Sequence, residues 1–133
     1  MRTRSRCFAL VATCLLASVC FAADKKKLLD ATAAVDANLK TAAGKQYDEA
    51  LGKDFGPKYS SSVKPCLQAA PAATRSDPFD LLLKLSADGK VEEGLVYPDT
   101  QVSICVRSAF GSAQFSPPPH NDYWINIHME FKH

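Results

Sequence analysis

The chain has 133 residues, of which 16 are lysine or arginine and 14 are aspartate or glutamate, for a formal net charge of +2. This length holds one domain with a single hydrophobic core. Three arginines lie within the first six residues, which leaves 13 basic against 14 acidic residues in the remainder. That balance excludes a strongly basic surface of the kind that binds nucleic acid.

The first 22 residues show the three-part pattern of a secretory signal peptide. The arginines precede an uncharged apolar run from Cys7 to Phe21, and Cys20 and Ala22 are the small residues before a cleavage site between Ala22 and Ala23. The run is shorter than the roughly 20 residues of a spanning helix. The pattern predicts an exported protein, periplasmic or secreted, without stable membrane insertion after cleavage. An uncleaved N-terminal anchor is the alternative.

Cysteine usage predicts one disulfide. Cys7, Cys14 and Cys20 belong to the leader, which leaves Cys66 and Cys105 as an even pair in an exported chain. Two cysteines without a nearby CxxC or HxxxH partner do not make a zinc site, so no metal and no cofactor is predicted. Closing a loop of about 40 residues would contribute roughly 4 kcal/mol, and both Cys66→Ser and reductant are expected to lower the thermal stability.

Residues 23–78 are predicted to form a helical segment that ends in a linker loop. Apolar residues recur at steps of three and four, Gly44 is a natural helix stop, and Gly56-Pro57 ends a second helical run. The serines at positions 60–62 offer N-caps to a brief third helix that carries Cys66 on its apolar face. The predicted bounds are Asp24–Ala43 and Gln46–Phe55 for the first two helices and Pro71–Pro78 for the loop.

Residues 79–133 carry the strand signals. Phe79 to Leu85 is a strand, and Val91 to Tyr97 returns after Asp88-Gly89, a strong hairpin turn because glycine tolerates positive φ. A two-residue loop places Lys84 opposite Glu93 and Leu82 opposite Leu95. A bulged loop, for which Gly94 offers a place, shifts this register by one residue.

A helix and a last strand follow the hairpin. Asp99 or Thr100 can cap a helix that runs to Ala113 with Cys105 on its apolar stripe, and the stretch Phe115–Pro119 ends it. The last strand alternates strictly between apolar and polar residues. Its two faces are Tyr123, Ile125, Ile127, Met129 and Phe131 on one side, and Trp124, Asn126, His128, Glu130 and Lys132 on the other.

These elements predict an α+β fold in which N-terminal helices pack on a three-stranded antiparallel sheet. A hairpin with Asp-Gly in its turn, a helix, a Phe-x-Pro-Pro stretch and a C-terminal strand, in this order between Phe79 and Lys132, resemble the TonB/TolA C-terminal domain family. TolA-like domains tie a cysteine on the helix after the hairpin to one upstream. Cys105 occupies that helix, and Cys66 would be a displaced version of the upstream partner.

The resemblance implies protein–protein recognition in the periplasm, in which an extended segment of a partner adds to the edge of the sheet. Transducers of this family carry an uncleaved anchor and a long proline-rich spacer, whereas this chain is expected to be a soluble exported form without them. Tyr97-Pro98-Asp99-Thr100 also replaces the small-residue turn of the family. We therefore predict an interaction module for another envelope protein or peptide segment, not an energy transducer.

The candidate partner-binding residues are Trp124, Asn126 and His128, which share the polar side of the last strand. An exposed tryptophan on an edge strand is a typical binding anchor, since aromatic side chains contribute much of the energy of interfaces. The alternative is that Trp124 packs beneath the N-terminal helices. A small exported inhibitor or immunity-type protein would use the same kind of rigid scaffold, and it stays open as an alternative function.

No catalytic residue is predicted, although two histidines have an acidic residue two positions along the chain. His120 with Asp122, and His128 with Glu130, each form a pair at positions that share a strand face. No serine or unpaired cysteine nucleophile is placed beside either pair. A minor envelope enzyme that uses His120 or His128 is the second alternative.

Overall fold

The computed structural model describes the backbone of residues 12–132 and the side chains of residues 24–132. The elements follow in the order α1 (Ala12–Leu39), α2 (Ala42–Ala69), a 3-10 turn (Ala72–Thr74), β1 (Phe79–Leu85), β2 (Val91–Tyr97), α3 (Gln101–Phe110) and β3 (Tyr123–Met129). The predicted α+β fold with a three-stranded antiparallel sheet is confirmed. The predicted leader, residues 1–22, and its cleavage position between Ala22 and Ala23 lie outside the residues whose side chains are described.

The chain divides into two compact units, Met1–Asp30 and Ala31–His133. The described part of the first unit is helical, and Lys26 Nζ lies 2.6 Å from Asp30 Oδ2 in an exposed ion pair. No helix within residues 12–132 combines the length and apolar character that crossing a bilayer requires. The second unit holds the end of α1, the helices α2 and α3, and the whole sheet.

The helix α2 is continuous, and the prediction of two short helices in this region is wrong. It begins after the N-cap Thr41 and runs to Ala69, through both Gly56-Pro57 and Pro65. A proline inside a helix removes one backbone hydrogen bond and strains the preceding turn. Long-range packing overrides this local signal, because one stripe at steps of three and four contacts the core along the full length of α2. The stripe consists of Tyr47, Leu51, Phe55, Tyr59, Val63, Cys66 and Ala70.

One side of the sheet forms the core with α2 and α3. The sheet order is β2-β1-β3, and the side chains of Phe79, Leu81, Leu83 and Leu85 on the central strand are fully buried. This side is called the core face below. The disulfide between Cys66 and Cys105 is confirmed, and it joins the end of α2 to α3 with 5.6 Å between the Cα atoms.

The hairpin between β1 and β2 has a three-residue loop. The N–H of Ser86 donates to the carbonyl of Lys90, and the N–H of Gly89 donates to the carbonyl of Ser86, each over 2.9 Å. Gly89 has a φ of 83°, and a Cβ there would lie 2.2 Å from the carbonyl oxygen of Phe115. Both the turn and this close approach therefore require glycine.

The body of the hairpin keeps the register predicted for a two-residue loop. Lys84 lies opposite Glu93 and Leu82 opposite Leu95, as predicted, whereas Leu85 lies opposite Val91. Between the pair at Lys84 and the pair at Leu85, β2 therefore contains one extra residue, which forms a bulge. This bulge compensates for a loop that is one residue longer than the two-residue loop. The sequence indicated Gly94 as a possible position for a bulge, which is two residues after the observed position.

Asp88 in the hairpin turn gives the fold a dependence on pH. The Ser86 hydroxyl donates to its carboxylate, Lys90 Nζ lies 3.0 Å from Oδ2, and these bonds lower the pKa of Asp88 to about 2. A depressed pKa in the folded state stabilises the fold above the ordinary pKa near 4 and loses this effect as the pH falls through 2. We expect Asp88→Asn to melt at a lower temperature than the wild type at pH 6, with a much smaller gap at pH 2. A gap of equal size at both values would contradict this assignment.

The helix α3 and the strand β3 follow their predicted patterns. Thr100 caps α3 in a capping box with Ser103, whose buried hydroxyl accepts from the N–H of Thr100 and donates to the carbonyl of Pro98, each over 2.8 Å. The helix ends at Phe110, three residues before the predicted end. On β3 the apolar and polar faces alternate as predicted, with Tyr123, Ile125 and Met129 buried and Asn126 and His128 exposed.

Candidate functional site

The strand β3 lies at one edge of the sheet, and its alternate residues direct their backbone groups outward. In an antiparallel strand the N–H and C=O of one residue point to the same side, and the side changes at each residue. The carbonyl of Trp124 accepts a hydrogen bond from Asn38 Nδ2 over 3.0 Å, so it points away from β1. The backbone groups of Asn126 and His128 therefore also point outward.

The hairpin supports the same assignment from the other side of β1. The N–H of Ser86 at the end of β1 donates to β2, so Lys84 and Leu82 direct their backbone groups toward β2. Leu83 and Leu81 then direct theirs toward β3, where they lie opposite Ile125 and Ile127. The ladder between β1 and β3 uses these residues and leaves the outward groups of Asn126 and His128 without a backbone partner among residues 12–132.

The two edges of the sheet differ in accessibility to another strand. The outer edge of β2 contains the bulge at Glu92 and is followed by Pro98, two features that hinder pairing with a further strand. Pairing between β1 and β3 is in continuous register from Phe79–Met129 to Leu85–Tyr123. Of the two outer edges, that of β3 is therefore the more regular and the better suited to pairing with a further strand.

The corner between α1 and α2 closes the first part of the β3 edge. Asn38 donates to the Trp124 carbonyl through Nδ2, and its Oδ1 lies 3.3 Å from Nε2 of His120. Val35 and Leu39 line a small cavity together with the side chain of Trp124. Trp124 is accordingly half-buried against α1. Asn126 also lines this cavity, but its side chain and that of His128 are exposed, and this part of β3 is called the open edge below.

The corner itself depends on the absence of a side chain at Gly44. The prediction that Gly44 stops the first helix is wrong: α1 ends at Leu39, and Gly44 lies in the first turn of α2, where its N–H donates to the Thr41 hydroxyl over 2.9 Å. A Cβ at this position would lie 1.9 Å from the carbonyl oxygen of Asn38. Glycine therefore allows the close contact that places Asn38 against β3.

We expect Gly44→Ala to lower the free energy of unfolding by roughly 1–3 kcal/mol, because the backbone of the corner must move apart. Gly52→Ala is the matched control: it is also in α2, and a Cβ there has no atom within 4 Å. That substitution should stabilise the helix by up to about 1 kcal/mol. Urea titrations of the two variants measure both values, and equal shifts in the same direction would contradict the role of Gly44.

Two tyrosines of α2 donate hydrogen bonds to the connector between α3 and β3, residues 111–122. The hydroxyl of Tyr47 donates to the carbonyl of Ser116 over 2.7 Å, and that of Tyr59 donates to the carbonyl of Gln114 over 2.8 Å. Burial, with the nearby Tyr123 and Tyr59, raises the pKa of Tyr47 to about 12. These two hydrogen bonds attach the connector at Gln114 and Ser116 to α2.

On the polar side of the sheet, called the polar face below, Asp80 brings two of the predicted binding residues together. His128 Nδ1 lies 2.9 Å from Asp80 Oδ1, and Asn126 Nδ2 lies 3.4 Å from the same oxygen. Both side chains thus lean toward β1. Trp124 does not join them, because it packs against α1.

The histidines do not form the pairs considered from the sequence. His128 contacts Asp80 on the neighbouring strand instead of Glu130, and the ring nitrogens of His120 face the carbonyl of Asn121 and Asn38 Oδ1. Asp80 and Asn38 were both missed as site residues. The alternation of β1 placed Asp80 on the polar face, but no signal in the sequence indicated that β3 would pair with β1.

A lysine surrounded by carboxylates occupies the same polar face. Lys84 Nζ lies 3.6 Å from Asp122, 3.7 Å from Glu92 and 4.0 Å from Glu93. Among residues 24–132 no group of histidine, cysteine and acidic side chains is arranged to hold a metal ion. The polar face therefore offers charge and hydrogen bonds to a partner.

Comparison of the chain with protein-family models, with curated proteins and with solved structures found no match.

Proposed function

We propose that this protein is an exported interaction module that binds an extended segment of another envelope protein along the outer edge of β3. The observation that carries the proposal is the pair of outward-facing residues Asn126 and His128, whose backbone groups have no partner among residues 12–132. A row of such groups on a rigid sheet is the template for strand addition, in which main-chain hydrogen bonds supply affinity. The resemblance to the TonB/TolA C-terminal domain family supports the same mode of recognition.

The disulfide supports the exported location. Cys66 and Cys105 are joined, and such bonds persist in the periplasm and outside the cell but are rare in the cytosol. An intact mass under non-reducing conditions tests this part of the proposal. The mass of Ala23–His133 less two hydrogens would support export with cleavage, and the mass of the full chain in a membrane fraction would contradict it.

Site-specific photo-crosslinking in the exporting cell tests the binding edge. A photoreactive residue in place of Asn126 should give a cross-linked product that is absent when the probe replaces Ser61, an exposed residue of α2. A second substitution, His128→Pro, removes an outward N–H without touching the ladder to β1. It should abolish the product while the melting temperature changes little. A product of equal yield from both probe positions, or one that survives His128→Pro, would contradict binding at this edge.

A further inference from the structure

We propose, building on the proposed function, that the segment received by the β3 edge is cationic, with basic side chains over the polar face and apolar side chains over the core face. A strand added to β3 continues both faces of the sheet, because its side chains alternate in the same way. The chemistry of the side chains beside the open edge therefore determines which alternating sequence fits.

The core face beside the open edge is apolar. Ile127, which follows Asn126 and precedes His128 in the chain, points to this face. It is half-buried and packs on the core cluster. An apolar side chain of the incoming strand, directly beside Ile127, would cover its remaining exposed surface. The core face therefore favours valine, isoleucine or a similar apolar residue at alternate positions of the incoming strand.

The polar face carries an excess of negative charge. Its carboxylates include Asp80 on β1, Glu92 and Glu93 on β2 and Asp122 just before β3, and the alternation of the sequence places Glu130 and Lys132 on the same side. Lys84 lies within 4.0 Å of Glu92, Glu93 and Asp122, and Asp80 is held beside His128 on β1, the strand next to β3.

The part of this charge nearest to an added strand is that of Asp80 on β1, because Glu92 and Glu93 lie on β2 at the opposite edge of the sheet. Neighbouring strands lie about 4.8 Å apart, so the side chains of an added strand are separated from β1 by roughly 10 Å, which is near the screening length at physiological salt. Asp80 is closer still, because its carboxylate leans toward β3. Basic side chains on the polar face would be attracted there and acidic ones repelled, which selects between otherwise equivalent extended segments.

Three blocked octapeptides test the inference by NMR titration of the exported, oxidised protein at low salt. The first alternates lysine with valine, the second has glutamate in place of every lysine, and the third is the lysine peptide with N-methyl groups on its two central residues. We expect the lysine peptide to bind about tenfold more tightly than the glutamate peptide. N-methylation should abolish binding, since it removes a donor from each edge of the peptide strand.

Two protein variants separate local charge from overall charge. Asp80→Asn retains an oxygen that can accept from His128 but removes the charge, and it should reduce the preference for lysine. Asp54→Asn on α2, where Asp54 pairs with Lys58, changes the net charge equally and should leave the preference unchanged.

The possible results distinguish the two proposals. Equal binding of the lysine and glutamate peptides, with loss on N-methylation, would overturn the cationic partner and leave the binding edge standing. Unchanged binding of the N-methylated peptide would show attraction by charge alone and would overturn strand addition by such a segment. Binding of neither unmodified peptide would count against the proposed function itself.

Discussion

Replacing both Cys66 and Cys105 with alanine is expected to lower the free energy of unfolding by about 4 kcal/mol. The two cysteines are 39 residues apart in the chain, and the bond restricts the unfolded ensemble by closing that loop. For a domain of this size the loss corresponds to a melting temperature lower by roughly 15 °C or more. Thermal melts of the wild type with and without reductant, beside melts of the double variant, measure the effect.

The double variant is also the control for the reductant. Reductant should lower the melting temperature of the wild type to near that of the variant and should leave the variant itself unchanged. A wild type whose melting temperature does not respond to reductant would contradict the contribution of the disulfide.

Phe110→Ala is expected to cost roughly 3–5 kcal/mol, the range for deletion of a buried aromatic ring. Phe110 is fully buried, and its ring centroid lies 5.6 Å from that of Phe55, 5.5 Å from that of Tyr59 and 6.4 Å from that of Phe115. It is the residue at which α2, α3 and the connector to β3 meet. Its removal therefore leaves a cavity that no single neighbour can fill.

Ile104→Ala on the same helix is the matched control, because Ile104 is 41% exposed. Its cost should stay below about 1 kcal/mol, since little buried surface is lost. Urea titrations of both variants provide the comparison. A loss at Phe110 no greater than the loss at Ile104 would contradict the aromatic cluster as the centre of the core.

The sheet could be predicted from the sequence because its signals are local. Strict alternation on β3 separates buried from exposed residues, and Asp88-Gly89 indicates a tight hairpin between β1 and β2. The disulfide was predictable for a different reason, since Cys66 and Cys105 are the two cysteines that follow the predicted leader.

The continuity of α2 could not be predicted from local signals. Gly56-Pro57 is a helix stop by intrinsic preference, and only packing against distant residues such as Phe110 and Phe115 overrides it. Gly44 was misread for a related reason. Its role is a close approach to Asn38, which is a property of the folded corner and not of the residue alone.

The candidate site was predicted in part. Asn126 and His128 were identified from the alternation of the last strand, but their contact with Asp80 requires knowing that β3 pairs with β1. The occlusion of Trp124 by Asn38 joins residues 86 positions apart. Neither contact can be inferred from the hydrophobic periodicity of the sequence.

Amide hydrogen exchange of the oxidised protein, followed by NMR, tests the open edge of β3 most directly. The structure predicts that the N–H groups of Ile125 and Ile127, which face β1, are protected, whereas those of Asn126 and His128 exchange at close to unprotected rates. Protection at Asn126 and His128 equal to that at Ile125 and Ile127 would mean that the outer edge is already covered. The proposed binding site would then be contradicted.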